Sequence, residues 1–242
     1  MIKLGVDNGN YNTKSSEGML YASGYTASDK EFITPDMQLF YEGRYYAVGE
    51  RRLRFQQDKT KEQDAFILTL PAIADAMKKA GTTNAEIALG VGLPIDSYGM
   101  QKEAFRRYFL RDNISFLFEG TSYRCRIAEC KVFAQGHAAL CRYYPQLKDY
   151  RSITLVDIGG YTVDILTLHD FRLDRSSCAS LRMGTITLYS RIQDTLQRND
   201  ILLSDELITD AIRGDIQHAD SKLIHAVVEQ AVAAYCKELL NA

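Results

Sequence analysis

Apolar residues alternate or run in short blocks through the first part of the chain and later recur at the longer spacing of helices. Ile2–Asp7, Tyr11–Ser15, Met19–Ala22, Met37–Tyr41 and Tyr45–Val48 read as strands, the last two hinged on Glu42-Gly43-Arg44. Together they predict a twisted antiparallel sheet with hairpins. The polar run Glu50 to Gln63 gives way to Ala65–Ala80, whose helical spacing ends at Gly81, a C-terminal glycine stop. A strand at Ala85–Val91 comes next, then Pro94 and a helix over Gly99–Leu110. Strands near Ile114–Phe118 and Tyr123–Val132 and a helix over Gln135–Tyr144 close this half. After a loop from Pro145 to Arg151 the order strand, turn, strand restarts at Ile153. From Thr185 onward the period is helical: Thr185–Gln197, then Ser204–Ile212 with Ser204 as N-cap and Glu206 in the first turn, then Ser221–Leu240.

The restart matters because the two halves open on near copies of one device. Val6-Asp7-Asn8-Gly9-Asn10-Tyr11-Asn12-Thr13-Lys14 and Leu155-Val156-Asp157-Ile158-Gly159-Gly160-Tyr161-Thr162-Val163-Asp164 each pass from an apolar strand through an Asp and a glycine turn into a second strand. Tight turns of this kind expose backbone N–H groups, which bind anions. Two such turns facing each other would hold a polyphosphate, while Asp7 and Asp157 orient a divalent metal and its waters. The expectation is an α/β protein of two lobes, 1–150 and 151–242, the first with a small β-rich subdomain inserted over about residues 24–84.

Composition narrows the partners. With 29 basic against 31 acidic residues and a pI near 6.1, the chain is a poor candidate for direct binding to nucleic acid. Five scattered cysteines without a Cys-x-x-Cys pair read as reduced residues of a cytoplasmic protein. The first strand begins at the N-terminus without a basic and apolar leader, and no run of eighteen apolar residues occurs, so neither export nor a membrane partner is expected.

At this point the chain resembles the actin-like ATPase superfamily, with its ribonuclease H-like two-lobed fold, and within it the plasmid-segregation ParM/StbA branch. The resemblance rests on Gly5-Val6-Asp7-Asn8-Gly9-Asn10 with Lys14, on Gly92-Leu93-Pro94 after a strand, and on Val132-Phe133-Ala134-Gln135-Gly136 before a helix. It implies ATP or ADP as ligand, with GTP as the alternative nucleotide, together with Mg2+. Asp7 and Asp157 then hold the metal through water and serve catalysis, and Gln135 positions the attacking water. Gly9, Asn10, Asn12 and Thr13 offer donors to the phosphates and Lys14 a positive charge; on an exposed strand that lysine would otherwise be merely solvated. In the second turn Gly159, Gly160, Tyr161 and Thr162 do the same, with Asp164 more structural. Gly184 resembles a turn close to the nucleotide, and Glu206 a ribose contact that competes with a simple helix-dipole role. His137 reads as structural.

The family role implied is an ATP- and Mg2+-dependent filament that partitions plasmid or mobile-element DNA, held to centromere-like DNA by an adaptor protein. Relatives continue past the last helix with a strand and a glycine-rich turn on the adenosine, a motif lacking here, so the second lobe is expected to be incomplete and nucleotide affinity weakened. Two other readings stay open: a sugar- or acetate-type small-molecule kinase of the same superfold, and a non-hydrolysing nucleotide-binding scaffold or truncated fragment. The aromatic residues Phe40, Tyr41, Tyr45, Tyr46 and Phe55 serve either filament contacts or the small lobe's own core.

Overall fold

The computed structural model describes residues 1–33, 35–54 and 58–242. Cα packing groups the chain into two compact units, the first comprising Met1–Asp157 with Asp164–Ser180 and the second Ile158–Val163 with Leu181–Ala242.

The first unit is built on β1 (Ile2–Asn8), β2 (Asn12–Ser15), β3 (Leu20–Ala22), β4 (Gly24–Ser28), β5 (Gln38–Tyr41), β6 (Arg44–Arg52), β7 (Asn84–Leu93), β8 (Arg111–Phe118) and β9 (Thr121–Ala134). Among the described residues these form one nine-stranded sheet in the order β3-β2-β1-β7-β9-β8-β5-β6-β4. The antiparallel sheet expected from the sequence is there at both flanks. Its centre is parallel, β1 running beside β7 with Val6 opposite Val91, and β7 beside β9 with Gly92 opposite Phe133. Two helices supply the crossovers that parallel pairing requires. The first, α1 (Asp64–Lys79), is buried without a break from Ala65 to Ala74. It packs on β1, β2, β5 and β7. It stops as predicted at Gly81, where φ is +67° and the Gly81 and Thr82 amides donate back to Lys78 and Met77.

The second helix, α2 (Ile95–Phe109), starts four residues before the predicted Gly99, because Pro94 is itself the residue preceding the helix. It packs on β7 and β9, and Phe105 and Phe109 are fully buried. The helix predicted over Gln135–Tyr144 divides into α3 (His137–Arg142) and α4 (Tyr144–Leu147). Pro145 lies at the start of α4 and disfavours helical backbone just before it. Tyr41 and Tyr46 belong to the core. Phe40 and Tyr45 stay half-buried with ring centres 4.7 Å apart, and Phe55 lies outside the described residues.

A second sheet of the described residues contains β10 (Ser152–Ile158), β11 (Val163–His169), β12 (Arg172–Leu173) and β13 (Ala179–Leu181), ordered β10-β11-β12 with β13 on β11. The helical unit holds α5 (Thr185–Gln197), α6 (Asp205–Arg213) and α7 (Ser221–Asn241), all within a residue of their predicted bounds. Leu188, Ile192 and Leu196 of α5 form an i, i+4 stripe that meets Ile208, Ile224 and Val228 in one core. Ser204 caps α6, its hydroxyl accepting from the Leu207 amide at 3.3 Å.

Candidate functional site

Strand alternation decides which way the first device faces. On β1, Leu4, Val6 and Asn8 are buried on the side of α1, where Asn8 Nδ2 donates to the Ala65 carbonyl and to Thr69 Oγ1, each at 3.0 Å. Gly5 and Asp7 therefore occupy the opposite face. Lys14 stands directly across the ladder from Asp7 and shares that face. Gly5 lies beside Gly90 in the parallel register, so this pair of positions adds no side chain to the floor.

Over this floor lies a cavity of about 550 Å³ whose lining includes Asp7, Lys14, Gln135, Asp157, Phe133 and Gly92. Four residues from three separate stretches of the sequence, all predicted from it, thus line one pocket within the first unit. Gln135 follows β9 directly, tied by its amide to the Leu93 carbonyl at 2.8 Å. Its Nε2 donates to Asp7 Oδ1 at 2.7 Å. A Cβ on Gly92 would come within 2.9 Å of Gln135 Cγ, so the glycine is what lets this pair form. With its amide nitrogen committed to Asp7, Gln135 presents its Oε1, an acceptor, as its remaining polar atom.

Burial, and then the charge of Asp7, push the Asp157 carboxyl above the usual carboxylate range, with Lys14 offsetting part of the effect. Two carboxylates lining one cavity, one of them with its proton affinity raised by the other, suit a divalent cation. Among the described residues no group of three or more His, Cys, Asp or Glu could ligate a metal directly, so this donor set fits a hydrated ion held through water.

The other first-turn residues separate. Gly9 and Asn10 line a different, water-sized cavity of about 30 Å³ together with Lys59 and Arg54. Asn12 opens β2 half-buried and lines neither cavity. Thr13 corrects the sequence reading of its side chain. It is fully buried, its hydroxyl 2.9 Å from Ser23 Oγ, because alternation along β2 turns it inward between Asn12 and Lys14.

The second glycine turn belongs to the helical unit. The Thr185 and Ile186 amides at the start of α5 donate to the Gly159 and Gly160 carbonyls at 2.9 and 3.0 Å, and the Gly184 amide donates to the Tyr161 carbonyl at 3.1 Å. Each trans peptide plane sets its N–H opposite its C=O, so the amides of Gly160, Tyr161 and Thr162 point away from the first turn of α5. Such a run of co-oriented amides is suited to an anion. Gly184 is the packing seat of this turn, since a Cβ there would lie 2.3 Å from the Gly160 carbonyl oxygen. Asp164 is buried and accepts from Ser180 Oγ at 2.5 Å, the structural role expected of it. Glu206 is exposed in the first turn of α6. Sequence reading missed Lys59, a buried lysine inside a charged run, and the glycine floor of Gly5 and Gly90.

Residues 5–137 match the model of the actin-like proteins' N-terminal domain, and residues 155–242 that of the C-terminal domain of archaeal MreB-like actin homologues. The chain belongs to the actin-like proteins. Its fold is similar to that of Ta0583, an archaeal actin homologue solved with ADP, at 18% identity and a TM-score of 0.76 over 98% of this chain and 81% of that one. It is also similar to a 15-stranded ParM filament from Clostridium botulinum, at 16% identity and TM-score 0.74 over 99% and 82% of the two chains. Apo pSK41 ParM aligns at 12% identity and TM-score 0.69 over 99% and 79%. No curated protein sequence matches the chain. Among the described residues no helix is long and apolar enough to cross a membrane.

Proposed function

We propose that this protein is a nucleotide-dependent filament former that binds ATP with Mg2+, polymerises in that state and hydrolyses the nucleotide to disassemble. The reading is carried by the meeting of Asp7, Lys14, Gln135 and Asp157 in one cavity of about 550 Å³. Lys14 meets phosphate charge, and the glycine floor admits close approach of the ligand. Asp7 and Asp157 would hold Mg2+ through its waters, and the ion supplies neutralisation of phosphate charge. Gln135, oriented by Asp7, offers Oε1 to a water, a positioning task rather than that of a strong base. Membership in the actin-like proteins, and neighbours solved as filaments and with ADP, support the same reading.

In the cell this activity would separate plasmid or mobile-element DNA, with an adaptor protein joining filament to DNA in the cytoplasm. The lobes that would work against each other divide at 150/151, a division supported by the two family matches ending at 137 and starting at 155. Light scattering tests the proposal: ATP with Mg2+ should raise the signal of the unsubstituted chain reversibly and leave Asp157→Ala flat. An unsubstituted chain that neither binds ATP nor scatters would refute it.

A further inference from the structure

Behind the first glycine turn lies a lysine that the pocket chemistry leaves unused. Lys59 sits in the charged run before α1, where a solvated side chain is the ordinary outcome, yet only 7% of it is exposed. Its Nζ donates to the carbonyl of Asn8, the last residue of β1. Ser23 Oγ holds the next carbonyl, that of Gly9, at 2.5 Å. Both carbonyls are thus taken from the inner side of the unit, and trans peptide planes then fix the directions of the Gly9 and Asn10 amides. Asn8 itself is locked to α1 through its side chain. Burial lowers the Lys59 pKa from 10.5 to about 8, while the charge of Asp7 works to raise it. An ammonium is expensive to bury, and a neutral donor would satisfy the same carbonyl. Charge at this place therefore calls for a use.

We propose that Lys59 is a positioning residue for phosphate recognition, fixing the first turn from behind and adding positive charge beneath the nucleotide's phosphates. Lys14 then works from inside the pocket and Lys59 from behind the turn, against the two carboxylates of Asp7 and Asp157. The inference rests on the nucleotide reading above and adds a residue to it. It predicts a phosphate-dependent effect, because a charge behind the turn matters more as phosphates are added and leaves the base and ribose untouched.

The test is Lys59→Met, which keeps the length of the stem and removes the charge, titrated with ATP, ADP and AMP in magnesium by competition against a fluorescent ADP. Affinity should fall roughly tenfold or more for ATP, less for ADP and less than about twofold for AMP. The thermal midpoint of the variant at neutral pH should shift little, since relief of the buried charge offsets loss of the hydrogen bond to the Asn8 carbonyl. Lys59→Gln, which keeps a donor without charge, should show the same graded loss. Equal affinities in the unsubstituted and Lys59→Met chains, or uniform weakening across the three nucleotides, would overturn the inference and leave the nucleotide reading standing. Failure of the unsubstituted chain to bind any of the three would overturn both.

Discussion

Gln135 reaches Asp7 only because Gly92 has no side chain, and this dependence separates positioning from binding. A methyl group placed 2.9 Å from Gln135 Cγ must displace the glutamine, while Lys14 and Asp157 lie outside its contacts. Gly92→Ala should therefore cut ATP turnover roughly tenfold or more, since small misplacements of a positioning group are costly, and leave ADP affinity within about twofold. Single-turnover hydrolysis alongside ADP titration checks this, and parallel loss of both would show that Gly92 serves binding instead. Asp7, Lys14 and Asp157 were legible in the sequence because each sits at a fixed place in a duplicated strand-turn pattern, and Gln135 because Val132-Phe133-Ala134-Gln135-Gly136 runs from a strand toward a helix. The Thr13 side chain was grouped with Asn12 as a donor to the phosphates, although alternation on β2 sends it inward. Lys59 had no legible signal at all. In Asp58-Lys59-Thr60-Lys61 the charges suggest a solvated run, and only packing against the end of β1 shows which one is buried.

At the scale of elements, the second glycine turn and the start of α5 are one piece of structure. The helix takes the carbonyls of Gly159 and Gly160 onto its first free amides, so it stabilises the turn and uses up its own N-terminal donors in doing so. Gly184→Ala drives a Cβ to within 2.3 Å of the Gly160 carbonyl oxygen, with backbone on the opposing side that has no rotamer to yield. The expected result is a loss on the order of 1–3 kcal/mol in urea unfolding, in the range of overpacking, together with weaker ATP binding. Unchanged stability would mean that the turn moves freely relative to α5. The helices α5, α6 and α7 were legible to within a residue because their apolar stripes and the Ser204 cap agree. β4 was not foreseen, since Gly24-Tyr25-Thr26-Ala27-Ser28 carries only Gly24 fully buried and lies at the sheet's edge, where little alternation is imposed. The parallel centre of the first sheet was also hidden, because pairing partners far apart in sequence leave no local mark.

For the molecule as a whole, charge sets what it can do with DNA. Its 29 basic and 31 acidic residues leave a formal net charge of −2, so counterion release from phosphates gives it little to gain on a duplex. A filament is a harder test than a monomer, because an array of copies multiplies even a feeble attraction through avidity. Assembled with ATP and Mg2+, the unsubstituted chain should still leave a labelled duplex unretained in co-sedimentation at about 0.15 M salt, an ionic strength that screens weak surface contacts. Retention that falls steeply as salt is raised would reveal a basic stripe created by assembly and would remove the need for an adaptor. Absence of retention at 0.05 M salt as well would place DNA recognition wholly on a partner. The filament would then supply force and length, and the partner would supply the sequence to be moved.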